Sequence, residues 1–161
     1  MDYKIRHLKE GEHVILENML YEAIYQSETV DSPLPYEVIF TPDLFIYISQ
    51  WGRNGDYCMA LEYKNKIVGA VWSRIFSNEK RGYGFIDCMI PELSIAISKE
   101  HRNKQLGTML IIRMLRHLKT SGYKSVSLSV SKGNYAIRLY QKVGFEIYEK
   151  RENDYVMIVD L

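Results

Sequence analysis

The stretch ELSIAISKEHRNKQLGTMLIIRMLRHLKTSG, Glu92–Gly122, decides the fold, because it reads as strand, tight basic turn and long helix. Leu93, Ile95 and Ile97 alternate with Ser94, Ala96 and Ser98, the two-residue period of a strand with one greasier face. Beyond the turn, Leu106, Leu110, Met114 and Leu118 recur at helical spacing. Met109, Ile111, Ile112 and Leu115 widen that stripe, which predicts a deeply packed helix stopped at Gly122. The turn HRNKQLGT brings Arg102 and Lys104 to the first turn of this helix, where unpaired N–H groups and the helix dipole favour an anion. Phosphate is the natural guest. The glycine pattern excludes two kinds of phosphate site: GxGxxG and GxxxxGK followed by Ser or Thr are both missing, and Gly107 stands alone in the loop. An ordinary basic turn capping a buried helix is the plainer alternative.

Working outward, KSVSLSV after Gly122 alternates again at Val126, Leu128 and Val130, and two strands joined through a helix predict a parallel pair with a right-handed crossover. The basic turn then lies at the carboxyl end of a strand. NYAIRLYQKVGF predicts a second helix with Ala136, Leu139, Tyr140 and Val143 on one face, Asn134 as its cap and Gly144 as its stop. FEIYEK, a turn at RENDY and YVMIVDL predict a closing hairpin. Upstream, DYCMALEY and KIVGAVWSRIF flank Lys64–Lys66, an antiparallel hairpin whose Asn65 suits positive φ. SNEKRGYGF is a polar, glycine-bearing connection. At the N-terminus, MDYKIRHL is a candidate strand and GEHVILENMLYEAIYQSE an amphipathic helix. TVDSPLPYE is a loop, and TPDLFIYISQWG a short helix with Thr41 as N-cap, Pro42 at the first helical position and Gly52 as the stop. Tyr25, Tyr36, Phe40, Phe45, Tyr47 and Trp51 are candidates for a substrate wall or for core. Mixed strands with helices on both faces predict an α/β domain spanning residues 1–161.

Two of these segments carry a family resemblance. Arg102, Gln105 and Gly107 fall on the pyrophosphate-loop pattern of the GCN5-related N-acetyltransferase (GNAT) superfamily, Arg or Gln, two residues, Gly, one residue, then Gly or Ala. The first glycine is Gln105 here. Asn134, Ala136, Leu139, Tyr140, Gly144 and Phe145 match the superfamily's acetyl-CoA-side helix and the strand after it, and PELSIAI is similar to its central strand. The resemblance runs from about Tyr57 to the C-terminus. It implies a GNAT-like fold with a mixed sheet whose strands 93–98 and 124–130 splay apart. Backbone groups near Ile95, Ala96 and Ile97 would then pair with the pantetheine arm of acetyl-CoA, the cosubstrate. Arg102, Asn103, Lys104, Gln105, Leu106, Gly107 and Thr108 would hold the pyrophosphate, mostly by backbone N–H groups. Asn134 and Ala136 would border the cofactor, with simple capping an equal alternative for Asn134.

The implied activity is transfer of an acetyl group to a primary amine, by direct attack in a ternary complex. Glu92 resembles the position of a carboxylate base, acting directly or through water, with Asp87 the nearby alternative. Tyr140 is the candidate proton donor to the leaving thiolate. The leading acceptor is a small-molecule amine; a protein N-terminus or lysine, and a non-catalytic acyl-CoA-binding module, are the rivals. Whether the acyl group is acetyl or longer is left open, as is a homodimer.

Composition frames this reading. The 161 residues are 47% hydrophobic and 25% charged, an ordinary globular balance without low-complexity tracts. Net charge is +1, split into −6 over residues 1–60 and +7 over residues 61–161, which suggests a C-terminal half that holds a polyanion and an N-terminal half that meets a neutral or cationic group. That balance speaks against nucleic acid as the main partner. No apolar run approaches the roughly 18 residues that span a bilayer, and the charged N-terminus differs from a signal peptide, so a cytoplasmic chain away from the membrane is expected. Cys58 and Cys88 lack metal or redox spacing and are expected as free thiols; His7, His13, His101 and His117 show no metal-binding pattern, so no metal is expected.

Overall fold

The computed structural model describes residues 2–26 and 32–161. Among these described residues, seven strands form one sheet in the order β1-β2-β3-β4-β5-β7-β6. They are β1 (Tyr3–His7), β2 (Tyr57–Tyr63), β3 (Lys66–Arg74), β4 (Glu92–Ile97), β5 (Ser125–Ser131), β6 (Glu146–Lys150) and β7 (Asp154–Asp160). The α-helices of the described residues are α1 (Ile15–Ala23), α2 (Pro42–Phe45), α3 (Leu106–Thr120) and α4 (Ala136–Lys142). The β2–β3 turn places Lys64 at φ 49° and Asn65 at φ 66°, two successive left-handed residues whose twist suits a tight hairpin.

Strand alternation divides the core in two. Val71, Leu93 and Leu128 point to the face covered by α3, where Leu110, Ile111, Met114 and Leu118 are buried. Ala70, Trp72 and Ala96 point the other way and pack with Leu16, Met19, Leu20, Ile39 and Ile48 from the N-terminal segments. The sheet is thus covered on both sides, as the alternating patterns require.

Several expectations change. The first helix is shorter than its periodic pattern and ends at Ala23; the end of the expected segment, at Ser27 and Glu28, and the first three residues of the loop after it, 29–31, lie outside the described residues. The second helix is one turn, Pro42–Phe45, preceded by an unforeseen 3-10 turn at Tyr36–Phe40. Thr41 makes no side-chain cap and donates its hydroxyl to the Val38 carbonyl instead (2.8 Å). Met109 and Ile112 are exposed, so the buried stripe of α3 is narrower than its apolar composition. Among the described residues no helix is long and apolar enough to cross a membrane, and no group of three or more His, Cys, Asp or Glu is placed to hold a metal.

Candidate active site

β4 and β5 run parallel but are paired at one position, Glu92 with Ser127, where the Ser127 N–H donates to the Pro91 carbonyl at 3.0 Å. Beyond it the strands part. On its other side β4 is fully laddered to β3, and the Ser98 N–H donates to the Val68 carbonyl at 2.8 Å. In an antiparallel ladder successive residues turn their backbone groups to opposite sides, so Ala96 and Ser94 face β3 while Ile95 and Ile97 face the gap. Ala96 is therefore not available to pair with a ligand there, a correction to the expected trio. The Ile97 carbonyl is already occupied by the Arg102 Nε–H at 2.8 Å.

The turn from β4 to α3 is built on two left-handed residues, Asn103 (φ 62°) and Gln105 (φ 61°). Gln105 thus adopts the backbone that glycine favours, at a cost of about 1 kcal/mol. No side chain caps α3, and the first amide to find a helical acceptor is that of Met109, on Gln105. The N–H groups of Leu106, Gly107 and Thr108 are left as donors at the positive end of a 15-residue helix. A Cβ at Gly107 would stand 3.2 Å from Leu139 Cδ2, so this glycine lets α3 and α4 approach each other. The basic side chains are already engaged: Arg102 pairs with Glu22 at 3.1 Å, and Lys104 reaches the Tyr3 hydroxyl at 3.4 Å. His101 accepts or donates to the same hydroxyl at 2.7 Å and braces the turn.

Glu92 lies at the apex of the gap on the α1 face, 3% exposed. Its Oε2 accepts a hydrogen bond from the Tyr47 hydroxyl, and Oε1 makes none. Tyr47 in turn accepts the Tyr83 N–H at 2.7 Å. Burial pushes the Glu92 carboxyl up to about 7, against the opposing pull of that phenol. Burial likewise holds the Tyr47 phenol well above its ordinary range. The connection around Tyr83 closes over the carboxylate. A Cβ at Gly82 would stand 2.3 Å from Glu92 Oε1, and one at Gly84 would stand 2.6 Å from the Leu128 backbone and 3.0 Å from Glu92 Cδ. Only glycine allows that backbone to enter the fork of the two strands.

Tyr140 approaches from the opposite face. Its ring belongs to the α3-side core, edge-on to Phe145 with 6.0 Å between centroids. Its hydroxyl makes no hydrogen bond among the described residues, and burial pushes it up to about 12, so it stays protonated. Tyr140 and Glu92 line one cavity of about 230 Å³ with Ile95, Asn134, Tyr25 and Tyr47. Asn134 caps α4 by accepting the Ala136 N–H at 2.9 Å, while Ala136 packs against the core. Asp87 is exposed and holds the Met89 N–H at 2.7 Å, away from this cavity. Of the candidate wall aromatics, Tyr25 and Tyr47 line the cavity; Phe40 packs on Phe45, Tyr36 on Tyr21, and Trp51 beneath Arg74. Tyr83, Gly82 and Gly84 were not singled out from sequence; their one signal was two glycines spaced around a tyrosine in an otherwise polar connection.

Comparisons with known proteins bear on the fold and the family. The sequence model of the acetyltransferase (GNAT) family matches residues 21–145. No curated protein matches in sequence. Among solved structures, PaiA N-acetyltransferase from Thermoplasma acidophilum in complex with coenzyme A is 18% identical with a TM-score of 0.71, covering 100% of both chains. A GNAT superfamily phosphinothricin acetyltransferase from Sinorhizobium meliloti in complex with acetyl-CoA is 17% identical, TM-score 0.70, over 100% of this chain and 89% of that one. Ribosomal-protein-alanine N-acetyltransferase from Brucella melitensis is 18% identical, TM-score 0.69, over 98% and 99%. At such identities the structural likeness speaks for the fold, and together with the family match over most of the sequence it means that this chain belongs to the acetyltransferase (GNAT) family.

Proposed function

We propose that this chain transfers an acetyl group from acetyl-CoA to the primary amine of a small molecule, by direct attack in a ternary complex. The observation that carries the reading is that Glu92 and Tyr140 reach one cavity from opposite faces of the sheet, through the only stretch where adjacent strands part among the described residues. The chain fits acetyl-CoA where it would have to. The Ile95 backbone in the gap offers a strand edge for an amide-bearing arm, and the free N–H groups of Leu106, Gly107 and Thr108 suit a pyrophosphate. When bound, acetyl-CoA supplies the thioester carbonyl that the amine attacks and the thiolate that leaves.

The residues divide the proton work. An amine arrives largely protonated near neutral pH, and Glu92, with its affinity for a proton raised by burial to about 7, is matched to remove that proton. Tyr47 orients the carboxylate by its hydrogen bond to Oε2, while the buried Oε1 has no hydrogen-bond partner among the described residues. Tyr140 holds a proton at its hydroxyl on the cofactor side, ready for the leaving sulfur. A covalent acyl-enzyme route lacks a thiol, since Cys58 is buried in the α1-side core and Cys88 is exposed outside the cavity. Two free thiols are in keeping with a reducing, cytoplasmic setting. The cavity's tyrosines and modest size favour a small amine over a protein terminus. The test is thermal: acetyl-CoA at a hundredfold excess over its dissociation constant should stabilise the protein by about 2.7 kcal/mol. Release of CoA must then depend on an added amine; an unchanged melting temperature at saturating acetyl-CoA would refute the reading.

A further inference from the structure

What fixes Glu92 is itself held from elsewhere in the chain. Its Oε2 depends on the Tyr47 hydroxyl, and that hydroxyl depends on the Tyr83 N–H. Tyr83 stands between Gly82 and Gly84 in the connection from β3 to β4, outside any helix or strand. One local bond spans this turn, from the Phe85 N–H to the Gly82 carbonyl at 3.2 Å, and it engages neither the Tyr83 N–H nor the Tyr83 carbonyl. Glycines on both sides bring the greatest backbone freedom, so the Tyr83 peptide groups take their orientation from tertiary bonds.

Three side chains supply those bonds. The Tyr83 N–H donates to Tyr47 at 2.7 Å, the Tyr83 hydroxyl donates to Asp43 of α2, and the Tyr83 carbonyl accepts from Arg151 Nη1 at 2.5 Å. The Asp43 bond holds the far end of a ring that is 45% exposed, whereas Arg151 holds the backbone itself. Arg151 belongs to the β6–β7 turn, 68 residues further on, and is anchored there. Its N–H donates to the Asp154 carbonyl at 2.9 Å, and its guanidinium lies 3.3 Å from Glu149 and 3.6 Å from Asp154. Asp154 accepts from Ser129 Oγ at 3.1 Å, which ties the turn to β5. Among the described residues, Arg151 lines a hollow beside the cavity of Glu92 and Tyr140, not that cavity itself. The consequence for Glu92 follows from the valence of a phenol. With the Tyr83 N–H on its oxygen, the Tyr47 hydroxyl has one proton to direct, and it goes to Oε2. The same segment bounds Oε1, since a Cβ at Gly82 would stand 2.3 Å from it. A rotation of the Tyr83 peptide groups would loosen both restraints at once.

We infer that Arg151 is a positioning residue for the proposed base: by holding the Tyr83 carbonyl it keeps the Tyr83 N–H on Tyr47, and so keeps the Glu92 carboxylate in place. The inference rests on the acetyltransferase reading of the site. CoA release is measured with purified protein, acetyl-CoA and whichever of hexylamine, spermidine or a hexapeptide with a free N-terminus is turned over best. The Arg151 side chain is 34% exposed in a turn, so its replacement should leave the fold standing. Arg151→Met, which keeps much of the stem and removes the donors, should lower kcat at least about tenfold, with the acceptor KM and the thermal shift with acetyl-CoA little changed. Arg151→Lys, which keeps one donor group, should recover at least about threefold of that loss. In a Glu92→Gln background Arg151→Met should cost under about twofold, because residues that act as a unit are not additive. Amide exchange followed by NMR gives a readout that needs no acceptor: the Tyr83 N–H should exchange at least about tenfold faster in Arg151→Met, with the β4 and β5 amides unchanged. An equal loss in the Glu92→Gln background, a raised acceptor KM with unchanged kcat, or unaltered Tyr83 exchange would each overturn the inference. Absence of stabilisation by acetyl-CoA, or of CoA release with all three acceptors, would instead overturn the acetyltransferase reading beneath it, and the inference with it.

Discussion

The two sides of the β4–β5 gap are built on different principles. On the α3–α4 side the groups we propose for the cofactor are backbone: the strand edge at Ile95 and the amides of Leu106, Gly107 and Thr108. Side chains there mostly support the backbone, as Arg102 does on the Ile97 carbonyl. On the α1 side the site is side chains throughout, with Glu92 held by Tyr47, 45 residues away, which is in turn held by Tyr83, 36 residues further on. A site made of backbone groups should tolerate substitution at its own positions, Gln105 with its left-handed backbone among them. A site made of side chains depends on each partner.

Substitutions on the α1 side should therefore hurt turnover and spare cofactor binding. The largest effect is expected from Glu92→Gln, which keeps the shape and removes the base: turnover should fall by about 10²–10⁴ while the thermal shift with acetyl-CoA persists. Wild-type turnover across pH 6 to 9 in this variant would remove Glu92 from the reaction. Gly82→Ala comes next. Its methyl group would stand 2.3 Å from Glu92 Oε1 and 2.8 Å from the Tyr47 hydroxyl, so the carboxylate must move. A displacement of that order is expected to lower turnover about 10²-fold with acetyl-CoA binding retained. Weakened cofactor binding in this variant would show that the two sides are not separable.

Tyr140→Phe, the one substitution on the cofactor side aimed at chemistry, should lower turnover at least about tenfold with little change in acetyl-CoA affinity. Full activity with a substrate whose chemical step limits the rate would make the ring purely structural.

The pH response sharpens the comparison without a large effect. Glu92 binds its proton more tightly in the folded protein than in the unfolded chain, since its carboxyl is raised from 4.5 to about 7. Its contribution to stability is thus fully present below about pH 4.5 and is lost as pH rises through about 7. Activity runs the other way, rising as the carboxylate forms and levelling off above about 7. Melting temperatures measured from pH 5 to 8 should fall more in the wild type than in Glu92→Gln; equal slopes would place the titration elsewhere. The smallest effect is expected at Gln105→Gly. Relief of a left-handed side-chain residue and the greater freedom of the unfolded glycine nearly cancel, leaving stability changed by under about 1 kcal/mol. The acetyl-CoA shift should survive, and its loss would mean that the Gln105 side chain itself holds the ligand.

What the amino-acid sequence determined by itself is the part written in contiguous patterns. The alternation of Leu93–Ile97, the helical stripe from Leu106 to Leu118 and the segment Asn134–Phe145 each encode local structure, because strand and helix periods are set by covalent geometry over a few residues. They carry the proposed cofactor side, and they placed Glu92 at the head of β4, where it lies at the apex of the gap. Periodicity misled where packing ends before the pattern does, at the short helix α1 and at the exposed Met109 and Ile112. Only the tertiary structure decided that Ala96 turns away from the gap, because that depends on the β3–β4 hydrogen-bond phase. It alone brought Tyr47, Gly82 and Tyr83 onto Glu92 and set Asp87 outside. Those contacts join segments 10 to 45 residues apart, and no local period records which distant backbone will fill the space that a missing Cβ leaves open.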